Sequence, residues 1–407
     1  MLHTADWHLG QKFFHTDTNR EEEHKAVLKW LTAYIVEQEI ELLVIAGDIF
    51  DTNSPPNYAR KMYFDFMQGL ANTPCHDVVV IAGNHDSPNM LDASKKLLAS
   101  INVYVVGHIS KDQTEQIIEI KDKNGALKAV VGAVPYLRDR DIRKNAAGES
   151  IEQRRENLRK GIIQHYAEID AALQEYYKRE VPVIVTGHLY VAGAQRGERP
   201  NTIHIGSLEL VEPSVFPLAF TYVALGHLHR PQKVGNQNRI QYSGTLIPID
   251  FSELNYDQVV KLVHFKKETL ESVQDIKVPK FRKLRFYKGT VKEIKKRLRE
   301  IDTEVDLPTW IKVDVITDSY LPNLQEELTG LIDVTYAELL ICNQKLSEDL
   351  LGEGAEEESV QSLKDISYLE IFELCLDQKG IYEEKERADL VNSFKELLSW
   401  MEEQDQE

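Results

Sequence analysis

The stretch LLVIAGDIFD at residues 42–51 decides how this chain folds, because a short apolar run ends abruptly in acidic residues. Short runs rich in branched side chains are typical of buried strands in an α/β sheet. The polar residues that follow then lie at a strand end, where open α/β sheets build their sites. The stretch therefore predicts a strand over 42–46 with a functional site at its end.

Four further polar clusters share this arrangement along the first 230 residues. They are DWH at 6–8, GNHD at 83–86, GH at 187–188 and GHLH at 226–229, preceded by apolar runs at 1–5, 78–82, 181–186 and 221–225. Asp6 and Asp48 are 42 residues apart, and Asp48 and Asn84 are 36 apart. A strand, a crossover helix and a second strand need roughly 30 residues, so the spacing fits an alternating fold with these clusters at strand ends.

The residue types in these clusters suit divalent metals. Asp, His and Asn offer oxygen and nitrogen donors, and a carboxylate such as Asp48 has two oxygens with which it can bridge two cations. A bridged pair roughly 3.5 to 4 Å apart clamps the attacking and leaving oxygens of a displacement at phosphorus. A lone histidine is more often structural than a ligand. The ordered set of clusters therefore predicts a two-metal phosphoesterase centre.

The order D-x-H, G-D-x-x-D, G-N-H-D, G-H, G-H-x-H resembles that of the calcineurin-like metallophosphoesterases. The longer strings HTADWHLG (3–10), AGDIFDT (46–52), GHLHRPQ (226–232) and YSG (242–244) resemble the SbcD family, the nuclease subunits of bacterial SbcCD complexes. The resemblance implies an α/β fold, a sandwich of two mixed sheets flanked by helices, with a small α/β capping domain and a C-terminal helical element that binds the partner. The first strand has only residues 1–5, so a residue or two typical of the family's start is expected to be missing.

The same resemblance implies roles for individual residues and two divalent ions, expected to be Mn²⁺. One ion would be held by Asp6, His8, Asp48 and His229, and the other by Asp48, Asn84, His188 and His227. His85 matches the family's catalytic histidine, and Asp86 matches its partner. An ordinary histidine pKa near 6.5 suits His85 for proton donation, although a structural histidine is the alternative. Asp51 could reach the site or cap the following turn, and Trp7 is expected in the core.

Composition agrees with an enzyme of two or three domains inside the cell. The chain has 407 residues, 42% of them hydrophobic, and three scattered cysteines, which favour neither a disulfide framework nor a zinc site. No apolar run approaches a membrane span, and no signal sequence is recognisable, so the expected location is the cytoplasm, at the nucleoid. We expect a nuclease domain at 1–270, a capping domain at 276–345, an acidic linker at 352–360 and a partner-binding region at 361–407.

Charge is distributed unevenly along the chain. The formal net charge is -18, but residues 346–407 hold 19 acidic and 5 basic residues, which leaves 47 acidic and 43 basic residues before them. The nuclease body is therefore nearly neutral, and the acidity of the tail either keeps the protein soluble or serves a partner. Within 277–299 there are 11 Lys or Arg, in a region that alternates strands and helices. The strands are expected at 281–287, 310–316 and 334–341, and the helices at 291–301 and 321–331.

This basic region looks like the family's capping domain, which guides duplex DNA, although a solvated helix face is the alternative. A helix capped by Asn19 and a second one at 150–177 are expected in the body. Loops after the strand at 129–134 and after His188 add arginines beside the predicted site. The DNA-binding candidates are Arg138, Arg140, Arg196, Lys280, Arg282, Lys283 and Arg285.

The tail contains two amphipathic helices that are too short to be stable alone. They must bind a partner or fold back, and the family resemblance implies an SbcC-like coiled-coil ATPase, with a homodimer inside a heterotetramer. The candidate contacts are Phe372, Leu376, Leu390, Phe394 and Leu397. No P-loop sequence occurs in the chain, so ATP dependence would come from the partner.

The sequence thus predicts a metal-dependent DNA exonuclease and endonuclease acting on double-strand ends and hairpins, in repair, replication and recombination. A stand-alone phosphodiesterase for small phosphoesters is the alternative within enzymes, and it leaves the cap and tail unexplained. A scaffold that has lost its chemistry would lack ligands, whereas all the matching ligand positions are filled here.

Overall fold

The computed structural model describes residues 1–13, 16, 18–142, 150–194 and 211–346, with Phe372, Leu376, Arg387, Leu390, Val391 and Phe394 from the C-terminal segment. The predicted contacts Arg196 and Leu397 and the predicted linker at 352–360 lie outside the described residues. In the described part of the chain, no helix is long and apolar enough to cross a membrane.

Strands and helices alternate through most of the described chain, as predicted. The strands are β1 (Leu2–Thr4), β2 (Leu42–Ala46), β3 (Asp77–Ile81), β4 (Val103–Val106), β5 (Ile117–Lys121), β6 (Leu127–Gly132), β7 (Val183–His188), β8 (Tyr222–Gly226), β9 (Gln232–Val234), β10 (Gln237–Tyr242), β11 (Val259–Lys266), β12 (Thr269–Lys277), β13 (Arg282–Thr290), β14 (Leu307–Thr317) and β15 (Ala337–Leu346). The helices are α1 (Glu21–Glu37), α2 (Asn57–Leu70), α3 (Pro88–Ala93), α4 (Lys95–Ala99), α5 (Asp139–Ile142), α6 (Ile151–Leu173), α7 (Val291–Arg299) and α8 (Leu324–Thr329).

Two six-stranded mixed sheets form the body, and this confirms the predicted fold class. The first has the order β12-β11-β1-β2-β3-β4, with β1 to β4 parallel and β11 antiparallel to β1. The second has the order β5-β6-β7-β8-β10-β9, in which β6, β7, β8 and β10 run parallel. The carboxyl ends of β1, β2 and β3 therefore share one edge, as do those of β7 and β8.

The two sheets pack face to face, and helices cover their outer faces. Along β2, Val44 and Ala46 enter the core between the sheets, whereas Leu43 and Ile45 pack in the cluster that holds α1 and α2. The cluster on the outer face of the second sheet includes α6 residues such as Ile169. Because both faces of the central strands are buried, these strands are continuous apolar runs in the sequence.

The predicted helix ends are correct at their start and less so at their finish. The side chain of Ser150 accepts a hydrogen bond from the Gln153 N–H in a capping box, and α6 ends at Leu173 rather than near residue 177. Asn19, predicted to cap α1, precedes the N-cap residue Arg20, and its side chain accepts from the Glu21 N–H at 3.2 Å. The capping box of α6 is made of local side-chain hydrogen bonds, which explains why this start is readable from the sequence.

A three-stranded sheet with the order β13-β14-β15 and two helices form the capping domain, in the predicted order of elements. Residues 1–315 and 321–344, the body with most of the cap, belong to one compact unit, and 316–320 with 345–407 form another. Within the first unit, the last strand of the body, β12, ends at Lys277, and the first strand of the cap, β13, begins at Arg282. Body and cap share an apolar cluster formed by Phe13, Leu284 and Trp310, with Phe251, Leu254 and Leu340 around it.

Candidate metal centre

Backbone strain is concentrated where the polar clusters meet. Asp6, His8, Asp48 and His227 have φ angles of 52°, 47°, 50° and 95°. A residue with a side chain costs about 1 to 3 kcal/mol in such a conformation, so strain of this kind marks functional sites. At the end of β2, Gly47 (φ 91°) shares its turn with a strained Asp48.

Glycines allow the loops to approach one another closely. A Cβ atom on Gly83 would lie 2.1 Å from Asp48 Oδ1, and one on Gly226 would lie 2.0 Å from the Ala46 carbonyl oxygen. Neither space can hold a methyl group. These two contacts bring the end of β2 against the end of β3 and against the end of β8, across the two sheets.

Asp48 lies between two histidines from different sheets. Its Oδ1 accepts a hydrogen bond from the backbone N–H of His85 at 2.8 Å. Its Oδ2 lies 3.3 Å from His188 Nε2 and 3.8 Å from His8 Nε2. Oδ2 therefore faces a histidine on each side, while Oδ1 accepts a backbone hydrogen bond.

His8, His85 and His229 are grouped on one side of Asp48. The ring centroids of His85 and His229 lie 5.0 Å and 5.1 Å from that of His8. The Nδ1–H of His229 donates to Glu253 Oε1 at 2.9 Å, so its Nε2 is left for a ligand. Glu253 was not predicted from the sequence, because nothing around this single acidic residue, 24 positions after His229, indicates a contact with a histidine.

His188, His227 and Asn84 are grouped on the other side. Asn84 Oδ1 lies 3.0 Å from His188 Nε2 and 3.0 Å from His227 Nδ1. His188 Nδ1 donates to the Ala46 carbonyl oxygen at 2.9 Å, and the His227 N–H donates to Asp6 Oδ1 at 2.9 Å. The structure thus brings all seven predicted metal ligands together around Asp48. The Asp6 carboxylate, predicted with His8 and His229, also lies beside the second group, with Oδ1 4.0 Å from His188 Nδ1.

Asp86 has a different role from the predicted one. Its Oδ1 accepts from the Phe50 N–H at 2.9 Å, and its Oδ2 accepts from the Gly83 N–H at 2.8 Å and the Ile49 N–H at 3.1 Å. The Asp86 carboxylate is fully buried and ties the loop after β2 to the loop after β3. Burial and the nearby Asp48 carboxylate raise its pKa to about 6.

Asp51 has the position beside His85 that was expected for Asp86. The His85 Nδ1–H donates to the carbonyl oxygen of Asp51 at 2.8 Å. The carboxylate of the same residue, at Oδ1, lies 3.2 Å from His8 Nδ1. Of the two roles considered for Asp51, contact with the site is therefore the one that the structure supports.

Two buried histidines have shifted pKa values. Burial disfavours the charged form of His8, but Asp51 and Asp48 outweigh burial and raise its pKa to about 9. Burial opposes the charge on His188 as well, and Asp48 and Asp6 raise its pKa to about 9. The pKa of Asp48 lies well below its usual range, because His188 and His8 outweigh the cost of burial.

The donor set fits divalent metal ions. His8, Asp48 and His85 offer ligand atoms within 4.8 Å of one another, and so do Asp6, Asp48 and His188. The Nε2 atom of His8 is buried, lies 3.8 Å from Asp48 Oδ2 and has no hydrogen bond within the described part of the chain. A buried polar atom without a partner is costly, and a metal ion would satisfy it.

The described candidates for DNA contact differ in position, exposure and ion pairing. Arg138 donates to the Asp86 carbonyl oxygen at 2.7 Å and so lies at the candidate centre. Arg140, Lys280 and Arg285 are exposed, and Lys283 is partly exposed. Lys280 Nζ lies 3.4 Å from Asp257 Oδ1, and Lys283 pairs with Asp302.

Arg282, predicted to contact DNA, faces the body of the protein. Its guanidinium lies 4.0 Å from the centroid of the Trp310 ring and its Nε lies 3.9 Å from Glu23 Oε2, with 9% of the side chain exposed. Side chains alternate along a strand, so Arg282 and Leu284 face the body while Lys283 and Arg285 face away. The run of charges in the sequence conceals this alternation.

The described tail residues contact one another. The rings of Phe372 and Phe394 are stacked with centroids 4.1 Å apart. Leu376 is buried, and Leu390 is 37% exposed. The two predicted helices therefore share an aromatic contact, and Leu390 is the most exposed of the described candidates.

Comparison with known proteins agrees with these observations. The family model of the calcineurin-like phosphoesterases matches residues 1–231, and that of the type 5 capsule protein repressor C-terminal domain matches 280–380. The SbcD subunit of the nuclease SbcCD from Escherichia coli K12 is 35% identical over 377 residues, which covers 91% of each chain. The corresponding SbcCD subunits from Rhodobacter capsulatus and Bacillus subtilis are 34% and 30% identical, over 276 residues (65% of each chain) and 271 residues (65% of this chain and 66% of the relative).

Proposed function

We propose, because this chain belongs to the calcineurin-like phosphoesterases and within them to the SbcD family of SbcCD nuclease subunits, that it is a metal-dependent nuclease subunit that hydrolyses DNA phosphodiester bonds. One observation carries the proposal. Asp48 Oδ2 faces His8 from the first sheet and His188 from the second, at 3.8 Å and 3.3 Å. This is the arrangement that a carboxylate shared by two cations requires.

We assign one metal to Asp6, His8, Asp48 and His229, and the other to Asp48, Asn84, His188 and His227. These residues would hold the two ions, which would supply a hydroxide near neutral pH and positive charge for the phosphate. The His85 Nδ1–H donates to the Asp51 carbonyl oxygen, which fixes the ring so that a proton on Nε2 would pass to the leaving oxygen. Asp86 holds the loop that carries His85 and Asn84 against the loop that carries Asp48.

Replacing Asp48 tests this proposal most directly. The unchanged protein should cut linear duplex and hairpin DNA with Mn²⁺ and stop when a chelator is added. Asp48→Ala should lose bound metal and lower cleavage by more than about 100-fold, since even groups behind the ligands contribute 10- to 100-fold. Asp65→Ala, on the exposed face of α2, is the matched control and should behave like the unchanged protein.

The outcomes separate the two kinds of enzyme. Hydrolysis of a small phosphodiester without cleavage of duplex or hairpin DNA would replace the nuclease with a phosphodiesterase. Full activity of Asp48→Ala would overturn the metal assignment.

We further propose that the chain works as a homodimer in a heterotetramer with an SbcC-like coiled-coil ATPase, in the cytoplasm at the nucleoid, with Mn²⁺ as its metal. The names of the relatives support the complex, because each is called a subunit of SbcCD. Exposed Leu390 in the tail supports a contact there.

A single tail substitution checks the partner contact. Leu390→Asp should prevent co-purification with the ATPase, because an exposed apolar anchor becomes charged, and should leave basal Mn²⁺-dependent cleavage unchanged. Leu390→Met, which keeps the apolar surface, should retain the partner. Co-purification of Leu390→Asp at the level of the unchanged protein would remove this residue from the interface.

A further inference from the structure

Glu253 lies behind the proposed metal ligand His229. Its Oε1 accepts from His229 Nδ1–H at 2.9 Å, while Oε2 accepts from the Ile249 N–H at 2.9 Å and contacts the Thr245 hydroxyl at 3.4 Å. Only 5% of Glu253 is exposed. A carboxylate on one ring nitrogen fixes the histidine tautomer and aims the other nitrogen at a metal. Glu253 is therefore placed to set the orientation of His229.

The short 3-10 helix that carries Glu253, Phe251–Asn255, is held by the cap. Phe251 and Leu254, on either side of Glu253 in the chain, pack against the cluster that includes Leu284 of β13 and Trp310 of β14. The Phe13 ring lies between Phe251 and Trp310. Its centroid is 5.1 Å from that of Phe251 and 5.0 Å from that of Trp310. The helix is thus packed between the metal centre and the cap.

A buried charged cluster beside it joins the same parts. Arg20 donates to Glu23 Oε2 at 2.9 Å from Nε and 2.7 Å from Nη2, and its Nη1 donates to the Pro248 carbonyl oxygen, just before the helix. Arg282 of the cap approaches the same carboxylate, with its Nε 3.9 Å from Glu23 Oε2, and its guanidinium packs on the Trp310 ring. Arg20 and Glu23 are almost fully buried, so movement of the cap would expose or separate opposite charges.

We infer that Glu253 is a positioning residue for metal binding and that the docked cap keeps it in place, so that the cap completes the metal centre as well as contacting DNA. The inference rests on the proposed metal-dependent nuclease function. A cap that only guided DNA would leave metal affinity unchanged when its junction with the body is disturbed. If the cap holds the Glu253 helix, disturbing the same junction would lower metal affinity although no ligand has changed.

Metal binding by Glu253 variants tests the first part. In Mn²⁺ titrations of the full chain, Glu253→Ala should weaken one of two binding steps by about 10- to 100-fold, since His229 loses its orientation. Glu253→Gln, whose amide oxygen can still accept from Nδ1–H, should recover most of the affinity. The electron paramagnetic resonance spectrum should change from that of coupled ions to that of isolated Mn²⁺ in Glu253→Ala. Two Mn²⁺ sites of unchanged affinity in Glu253→Ala would overturn the positioning role.

A pair of leucines in the cap tests the second part. Leu284 faces the junction, whereas Leu298 on α7 is in the cap's own core, and both are buried. Leu284→Ala should weaken Mn²⁺ binding and hydrolysis of a small phosphodiester together, and Leu298→Ala should spare both. Equal Mn²⁺ affinity in the two variants, each checked for a folded state by circular dichroism, would show that the cap does not hold Glu253.

These results are separable from failure of the proposed function. If the unchanged protein bound no Mn²⁺ pair and cut no DNA, the nuclease proposal itself would fall. If it did both and the Glu253 variants matched it, the inference alone would fall.

Discussion

The body and the cap use the same alternation of strands and helices, but only the body places strained polar residues at its strand ends. Four proposed ligands in the body have left-handed backbones, whereas in the described part of the cap Gly289 is the residue with positive φ. The cap instead exposes charge on regular elements, such as Lys292, Lys296 and Arg299 on α7, whose Ile294 and Leu298 are buried. Glu39 and Asn102, in turns of the body, share this backbone conformation, so the combination of strain with converging polar side chains distinguishes the proposed site.

The contrast between body and cap would fail most clearly if His85, the proposed catalytic residue of the body, proved dispensable for cleavage. We predict that His85→Asn lowers cleavage by about 10² to 10⁴-fold, the usual contribution of a proton donor, while the bound metal and DNA affinity stay unchanged. Cleavage kinetics, metal analysis and a DNA-binding isotherm would check this. His108→Asn, a histidine of the body paired with Asp92 at 2.8 Å, is the control.

A different outcome for His85→Asn would reassign the residue. Loss of metal would make His85 a ligand, in keeping with its place within 4.8 Å of His8 and Asp48 donor atoms. Cleavage at the unchanged rate would remove it from catalysis.

The second prediction uses pH and applies to the body alone. His8 and His188 have pKa values of about 9 without metal, above the ordinary 6.5, so both are charged at neutral pH. Metal binding requires the neutral rings, so Mn²⁺ affinity should rise by roughly 10- to 100-fold per pH unit between 6.5 and 9 and then level off. Titrations at several pH values would measure this.

The stability of the metal-free protein should change in the opposite direction. A raised histidine pKa stabilises the folded state fully below the unfolded value of 6.5, and that contribution is lost as pH rises through 9. Thermal unfolding of the metal-free protein would check the sign. Lys296→Gln in the cap should leave both profiles unchanged, and a flat affinity profile in the unchanged protein would contradict the charged state of the two histidines.

The third prediction concerns the cap and has the smallest effect. Replacing Lys280, Lys283 and Arg285 with Gln should weaken duplex binding and lower the slope of log affinity against log salt by about 0.9 per lost phosphate contact. The total should fall short of three contacts, because Lys280 and Lys283 already pair with Asp257 and Asp302. Hydrolysis of a small phosphodiester should be unaffected.

A matched set of lysines on the body gives the control for that experiment. Lys25, Lys61 and Lys96 are replaceable by Gln on α1, α2 and α4. An equal change in slope for both sets would mean that net charge, and not the surface of the cap, sets the salt dependence. An unchanged slope in the cap variant would return these residues to a structural role.

Most of the fold and the ligand set could be predicted because their signals are local. The apolar run before Asp48 predicts β2, and Ser150 with Gln153 predicts the start of α6. What could not be predicted depends on which side chains meet in space. Glu253 and Arg20 are polar residues in or beside loops, and nothing near them in the chain shows that one holds a histidine and the other joins body and cap.

Trp7 is in the core, as expected, although it lies beyond the end of β1 at Thr4, between Asp6 and His8, which have left-handed backbones. Arg282 was grouped with its charged neighbours, although the period of two along β13 turns it inward. Charge in a sequence marks an exposed surface only when the face of the element is known.

The distances along the chain between the groups of the metal centre limit when it can form. The His227 N–H bonds to Asp6 across 221 residues, and His188 bonds to the Ala46 carbonyl oxygen across 142. Contacts so far apart in sequence form late in folding, since a long loop must close first. On the ribosome, the first sheet edge would be synthesised long before Glu253. A growing chain therefore acquires its complete centre only after most of the body has been made.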